Sequence, residues 1–171
     1  MFNIESAEEM DALERVAKRT RKAAPVSVRV NPNVVVDTHH HITTGKAENK
    51  FGVSAADAEA LYHKAARSPW LRVTGIQAHI GSQLLDVRPY GETLDKLLAL
   101  VDRLEKAGIF FHVLDIGGGL GVVYKNERSP DPADLAALLL PKLAGRNLRL
   151  FFEPGRFLVA ESGCLLTRVL Y

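Results

Sequence analysis

Apolar and polar positions along this chain switch between two periods. Short β-prone runs, Phe2 to Ile4, Ser27 to Val30, Val73 to Ala78, Phe110 to Ile116 and Leu148 to Phe152, are separated by stretches whose apolar residues recur every three or four positions. Such alternation predicts βα units and a parallel sheet. Ser6 and Glu9 form a capping-box pattern ahead of Met10, Leu13, Val16 and Ala17, which share one helical face, so a helix is expected from about Ala7 to Ala23. Ser54 is placed to cap a second helix through Leu61 and Ala65, while Leu94, Leu97, Leu98, Val101 and Leu104 mark a third, with Gly108 beyond its end. Asp131 and Pro132 open a fourth, with Leu135, Leu138, Leu139 and Leu143 inward and Gly145 as its stop.

The two longest irregular stretches, Asn31 to Gly52 and Gly117 to Pro130, both follow strands. In βα architectures that is the functional face, at the C-terminal strand ends. Leu165 to Tyr171 reads as one more β-prone stretch, and the last element looks cut rather than finished. Five βα units are compatible with an open doubly wound sheet, whereas a closed (β/α)8 barrel takes eight strands and roughly 250 residues. Counting favours the open sheet. Chemistry clustered on three consecutive strand ends favours a barrel, whose ring of strand ends faces one central ligand.

Composition narrows the class without choosing a ligand. With 171 residues, 47% apolar and 25% charged, the chain is long enough for one domain with a substantial core. Its 22 basic and 20 acidic residues are spread along the sequence, which argues against a nucleic-acid stripe or a membrane-surface patch. Cys164 is the only cysteine, so no intrachain disulfide or multi-cysteine metal site is available. No run approaches the ~18 apolar residues of a membrane span, and the start lacks a basic-then-apolar leader. A cytoplasmic protein is the expectation.

The candidate chemistry sits at three strand ends. Asp115 and Ile116 lead into Gly117, Gly118 and Gly119, a run that leaves backbone amides unobstructed by any Cβ, as close contact with a phosphate requires. On the following strand, Glu153 and Arg156 flank Pro154 and Gly155, offering an acceptor and an anion clamp at one rim. His79, Ile80, Gly81, Ser82 and Gln83 end the preceding strand. Each has a plainer reading when taken alone: a hydrogen-bonded structural histidine, a flexible glycine turn, a surface ion pair worth about 0.5 kcal/mol. Position after the apolar run Leu148 to Phe152 argues against full exposure of Glu153 and Arg156. A dinucleotide fingerprint is disfavoured, because it would run into a helix, whereas this segment continues through Val122, Val123 and Tyr124 into a loop. His39, His40 and His41 read as solvated loop, since consecutive residues in an extended chain point to opposite sides and cannot easily converge on one metal ion.

The ordered phrases RVNPN (Arg29 to Asn33), ENKFG (Glu48 to Gly52), HIGSQ, DIGGGLG and EPGR together resemble the barrel domain of the diaminopimelate decarboxylases. These are enzymes dependent on pyridoxal 5′-phosphate, with an alanine racemase-like barrel, related to ornithine and arginine decarboxylases. The resemblance spans essentially the whole chain and implies a partial (β/α)8 TIM barrel of about five βα units over residues 1–163, with 164–171 beginning a C-terminal β-domain. By this resemblance His79 lies on the face of the pyridine ring. Ser82 and the amides of Gly117, Gly118 and Gly119 hold the phosphate, and Glu153 meets the pyridine nitrogen. Pro154 and Gly155 complete the cradle, and Arg156 binds phosphate or the substrate carboxylate. Lys50 would approach a subunit contact.

The same resemblance implies decarboxylation of meso-2,6-diaminopimelate to L-lysine, in lysine biosynthesis, by a homodimer. The family anchors its cofactor through a lysine on the first barrel strand and takes a cysteine from its β-domain. No lysine here matches that anchor and Cys164 does not match that cysteine, so the chain reads as an internal piece, inactive alone. Decarboxylases of ornithine, arginine or carboxynorspermidine are the nearest alternatives. A non-catalytic cofactor-binding remnant is an alternative of a different class. A racemase is disfavoured, because racemases of this fold tend to place arginine where Glu153 stands.

Overall fold

Ser6, Ser54 and Asp131 each end an extended segment and begin a helix. Their side chains accept the backbone N–H of Glu9, Asp57 and Ala133 respectively, satisfying donors that a helix start leaves without partners. In the computed structural model, which describes residues 1–36 and 51–171, these starts separate five strands and five helices. The order is β1 (Phe2–Ile4), α1 (Ala7–Thr20), β2 (Ala24–Arg29), α2 (Ala55–Arg67), β3 (Leu71–Gln77), α3 (Arg88–Lys106), β4 (Val113–Asp115), α4 (Pro132–Leu143), β5 (Arg149–Phe151) and α5 (Gly155–Val159). His39, His40, His41, Lys50 and residues 48–50 of ENKFG lie outside the described residues.

All four strand pairings are parallel, and the spatial order β1-β2-β3-β4-β5 follows the chain without a reversal. That decides between the two expected architectures. A doubly wound sheet reverses its strand order at a switch point, whereas strands laid down in sequence form an arc of a (β/α) barrel. One face of the arc carries Ile4, Val26, Val28, Ile76 and Leu114, all buried in a single apolar cluster with Met10 of α1, Leu61 and Tyr62 of α2, and Leu94, Leu97 and Val101 of α3. The alternate positions are more polar: Asn3, Ser27, Arg29, Gly75, Gln77 and Asp115. Ser27, Gln77 and Asp115 are nonetheless buried.

The β2–β3 register slips by one residue between Val26 and Ser27. Tyr62 repairs the slip from α2: its hydroxyl accepts from Val28 N at 3.0 Å and donates to Gly75 O at 2.8 Å. Burial pushes this phenol's pKa well up, so it stays a neutral donor.

One expectation fails at the C-terminal end. Leu165 to Tyr171 forms no strand and is exposed, because a β-prone segment becomes a strand only when a neighbour offers a ladder, and none among the described residues does. The residues of EPGR open a helix, α5, that apolar periodicity over so short a segment does not announce. Elsewhere α3 begins at Arg88, ahead of its first clearly periodic leucine, with Asp86 Oδ1 accepting from Arg88 N at 2.9 Å.

Candidate functional site

The three strand-end motifs meet because glycine lets them. A Cβ built on Gly117 would stand 2.6 Å from Ala78 O, one on Gly118 would overlap Glu153 O, and one on Gly119 would overlap Gly81 O. Gly117 and Gly119 also have φ of +73° and +105°, which side-chain-bearing residues rarely adopt. The run is therefore the seat on which the loops after β3 and β5 rest against the loop after β4.

The loops after β3 and β4 are also zipped by backbone bonds. Leu84 N donates to Gly119 O at 2.8 Å, and Gly121 N donates to Leu84 O at 2.9 Å. Gln83, at a left-handed φ of 59°, extends this ladder with its side chain, whose Oε1 accepts from Val122 N at 3.2 Å. Backbone pairing thus continues past the strand ends and holds the two motifs at a defined separation.

The glycine amides are mostly spent inside the protein. Gly117 N donates to Asp115 Oδ1 at 2.9 Å and Gly118 N donates to His79 Nδ1 at 3.2 Å. Only Gly119 N has no partner among the described residues, which revises the expectation that all three amides face a phosphate. Gly118 O in turn accepts from the hydroxyl of Tyr90, a buried residue of α3, at 2.9 Å.

His79 is half-buried, with its Nδ1 acting as an acceptor. The proton of a neutral imidazole then resides on Nε2. Burial, followed by the positive charge of Arg29, holds the imidazole below its ordinary value of 6.5, and Asp115 pulls the other way. Asp115 itself is 4% exposed. Burial pushes its carboxyl above the ordinary carboxylate range; the Gly117 N–H opposes this, while the Glu153 carboxyl pushes the same way.

Arg29, Gln77 and Asp115 stand in one register row across β2, β3 and β4. The Arg29 guanidinium pairs with Glu5 at 2.6 Å and lies 5.2 Å from the centre of the Phe51 ring. Its Nε and the Oε1 of Gln77 are buried without hydrogen-bond partners among the described residues. Buried orphans of this kind are uncommon.

His79, Gly81 and Ser82 line a cleft of about 470 Å³ together with Arg29, Asn31 and Phe51. Ser82 is exposed, and its hydroxyl has no partner among the described residues. Gly117, Gly118 and Pro154 line a second, apolar cavity of about 290 Å³ beside α4 and α5. Glu153, Gly155 and Arg156 border neither cleft.

Glu153 and Arg156 are both exposed and do not pair, correcting the expectation of partial burial. They follow β5, which pairs with β4 alone, so no strand among the described residues covers their other side. Gln77 Nε2 donates to Glu153 Oε2 at a long 3.4 Å. Arg156 Nη1 donates to the hydroxyl of Tyr124 at 2.9 Å, with its guanidinium 5.9 Å from that ring's centre.

Sequence reading assigned no role to Arg29, Gln77, Tyr90 or Asp115. Gln77 was signalled by a polar side chain within the apolar run Val73 to Ala78, and Asp115 by its place directly before the glycines. Nothing local marked Tyr90. No group of three or more histidine, cysteine or acidic residues capable of holding a metal ion occurs among the described residues.

The sequence was compared with known proteins. Residues 1–160 match the family model for the pyridoxal binding domain of pyridoxal-dependent decarboxylases. Diaminopimelate decarboxylase of Pseudomonas aeruginosa is 51% identical over 170 residues, covering 99% of this chain and 41% of the relative, and that of Neisseria meningitidis serogroup B is 48% identical over 168 residues, covering 98% and 41%. The crystal structure of diaminopimelate decarboxylase from Helicobacter pylori complexed with L-lysine superposes with a TM-score of 0.87 at 40% identity, covering 94% of this chain and 41% of that one. The crystal structure of lysine decarboxylase from Selenomonas ruminantium follows at a TM-score of 0.70 and 28% identity, covering 91% of this chain and 39% of that one. The chain spans about 41% of the length of the first two relatives. Parallel strands laid down in chain order, the glycine seat joining three strand ends and the match over residues 1–160 agree: the chain belongs to the pyridoxal binding domain family of the pyridoxal-dependent decarboxylases.

Proposed function

We propose that this chain carries the pyridoxal 5′-phosphate cradle of a diaminopimelate decarboxylase, which converts meso-2,6-diaminopimelate to L-lysine with release of carbon dioxide. The observation that carries the reading is the glycine seat itself, on which the loops after β3 and β5, carrying His79, Ser82 and Glu153, pack against the loop after β4. The residues fit the group: an unpartnered hydroxyl and amide for a phosphate, a half-buried imidazole for a ring face, and an exposed carboxylate for a ring nitrogen.

Ser82 Oγ and Gly119 N would donate to the phosphate. His79, neutral and oriented by Gly118 N–H, would cover the ring without adding a positive charge beside a protonated nitrogen. Glu153 would accept the ring N–H, and a carboxylate there favours the protonated ring. Bound in this way, the cofactor supplies an electron sink for the pair left when the Cα–carboxylate bond breaks. Arg156, whose guanidinium Tyr124 holds, would reach for the phosphate or a substrate carboxylate after Pro154 and Gly155.

The whole enzyme is proposed to be cytoplasmic and homodimeric, acting on a small amino acid. Among the described residues no helix is long and apolar enough to cross a membrane. No lysine of this chain stands where the resemblance would put the anchor, so the chain alone is expected to turn nothing over. Complemented with the remaining segments of a relative and pyridoxal 5′-phosphate, it should release carbon dioxide from meso-2,6-diaminopimelate in preference to ornithine or arginine. Preference for ornithine or arginine would overturn the substrate assignment, and complementation that yields neither cofactor binding nor turnover would favour a remnant.

A further inference from the structure

Asp115 lies at the end of β4, 4% exposed, and has no part in the reading above. Its bonds lead to Glu153. Asp115 Oδ1 accepts from Gly117 N at 2.9 Å, and Gly117 O accepts from Glu153 N at 2.9 Å, so the turn that Asp115 holds is the turn that carries the Glu153 backbone. The turn has little freedom to find another position, because Gly117 is at φ +73° and a Cβ there would stand 2.6 Å from Ala78 O. Gln77, level with Asp115 on β3, donates to the Glu153 side chain at 3.4 Å.

We propose that Asp115 is a positioning residue, whose carboxylate sets the Glu153 backbone through the Gly117 peptide and supplies the negative charge beneath the ring-nitrogen end of the cradle. The assignment of Glu153 to a ring nitrogen rests on the proposed function; the coupling of Asp115 to Glu153 and His79 does not. The groups facing Asp115 are the Gly117 amide, Glu153 after β5 and His79 after β3, while His79 in turn faces Arg29 of β2, itself paired with Glu5. A buried charge that orients and tunes an exposed ligand group is a familiar way of adjusting a site from one layer behind it.

Two substitutions separate the roles. Asp115→Asn keeps an oxygen acceptor for Gly117 N–H and removes the charge, whereas Asp115→Ala removes both. Amide hydrogen exchange, the titration of the His79 imidazole by NMR, and the affinity for pyridoxine 5′-phosphate read them out. That ligand has the phosphate and the ring nitrogen without the aldehyde that condenses with surface lysines.

For Asp115→Asn, the Gly117 and Glu153 amides should remain protected, His79 should titrate at lower pH than in the parent, and affinity should fall about tenfold, one pKa unit's worth of charge stabilisation. For Asp115→Ala, protection of the Glu153 amide should also fall by at least about tenfold, the loss of a charge-assisted bond. As a converse check that needs no ligand, Glu153→Gln should bring the Asp115 titration down. Unchanged His79 titration and affinity in Asp115→Asn, or retained Glu153 protection in Asp115→Ala, would overturn the inference. Failure of the parent chain to bind pyridoxine 5′-phosphate would instead count against the proposed function, with the exchange and titration results still deciding this one.

Discussion

The loops after β3 and β4 and the segment after β5 carry motifs of similar apparent weight, yet the fold treats them differently. Between β3 and β4 the contacts are made by the protein itself: His79 by Gly118, Gly118 by Tyr90, Gly117 by Asp115, and Leu84 by Gly119 and Gly121. After β5, Glu153 and Arg156 are exposed, and their side chains rest on one long bond to Gln77 and one bond to Tyr124. The lesson is one of preorganisation. His79 and the Gly117 and Gly118 amides are held from within the fold, whereas Glu153 and Arg156 follow a strand that is at the edge among the described residues. There a ligand or a neighbouring element must contribute to their geometry.

Glycine substitutions should expose the difference most sharply. Gly118→Ala forces a Cβ into Glu153 O and should cost about 3 kcal/mol or more in urea unfolding. Gly155→Ala meets nothing within 4 Å at the start of α5 and should be neutral or stabilising by up to about 1 kcal/mol. Equal effects at the two positions would remove the contrast. Next in size, Tyr62→Phe leaves Val28 N–H and Gly75 O without their buried partner and should cost about 1–3 kcal/mol, visible as a shift of the urea midpoint at unchanged slope.

Acid should reach the central region through His79. Its folded value lies below 6.5, so just below that pH the unfolded chain binds a proton that the folded chain does not. The stability contributed by neutral His79 is therefore complete above 6.5, falls as pH drops below it, and levels off once the folded imidazole also titrates. Thermal midpoints followed downward from about pH 8 should decline less in His79→Gln than in the parent. At the rim the expected effect is smallest: Glu153→Gln and Arg156→Ala should each change stability by under about 0.5 kcal/mol, while weakening the binding of pyridoxine 5′-phosphate. A large loss of stability from either would show that the rim is as tightly built as the centre.

Legibility in the sequence followed the same division. Helix starts were readable because Ser6, Ser54 and Asp131 act within three residues of themselves, and strands because apolar runs were bounded by glycine and polar clusters. Strand order was not readable from periodicity, since a barrel arc and a doubly wound sheet share the same βα alternation; the family resemblance carried the barrel. The glycine run was recognisable as special, but its main task was not. Whether an amide faces a ligand or another loop depends on residues far along the chain, as with His79 and Gly118, 39 positions apart, or Gly118 and Glu153. Exposure of Glu153 was misjudged because an apolar run before a residue says nothing about whether its strand is at an edge. Tyr90 was invisible for a related reason, as its hydroxyl acts across 28 positions.

That three separate motifs form one cradle can be checked by titrating the chain with pyridoxine 5′-phosphate while following assigned NMR resonances. The Ser82 and Gly119 amides, the His79 ring and the Glu153 amide should shift together, along one saturation curve. Shifts that saturate separately, or that stay confined to exposed lysines while these four remain unmoved, would show that the motifs do not serve one ligand.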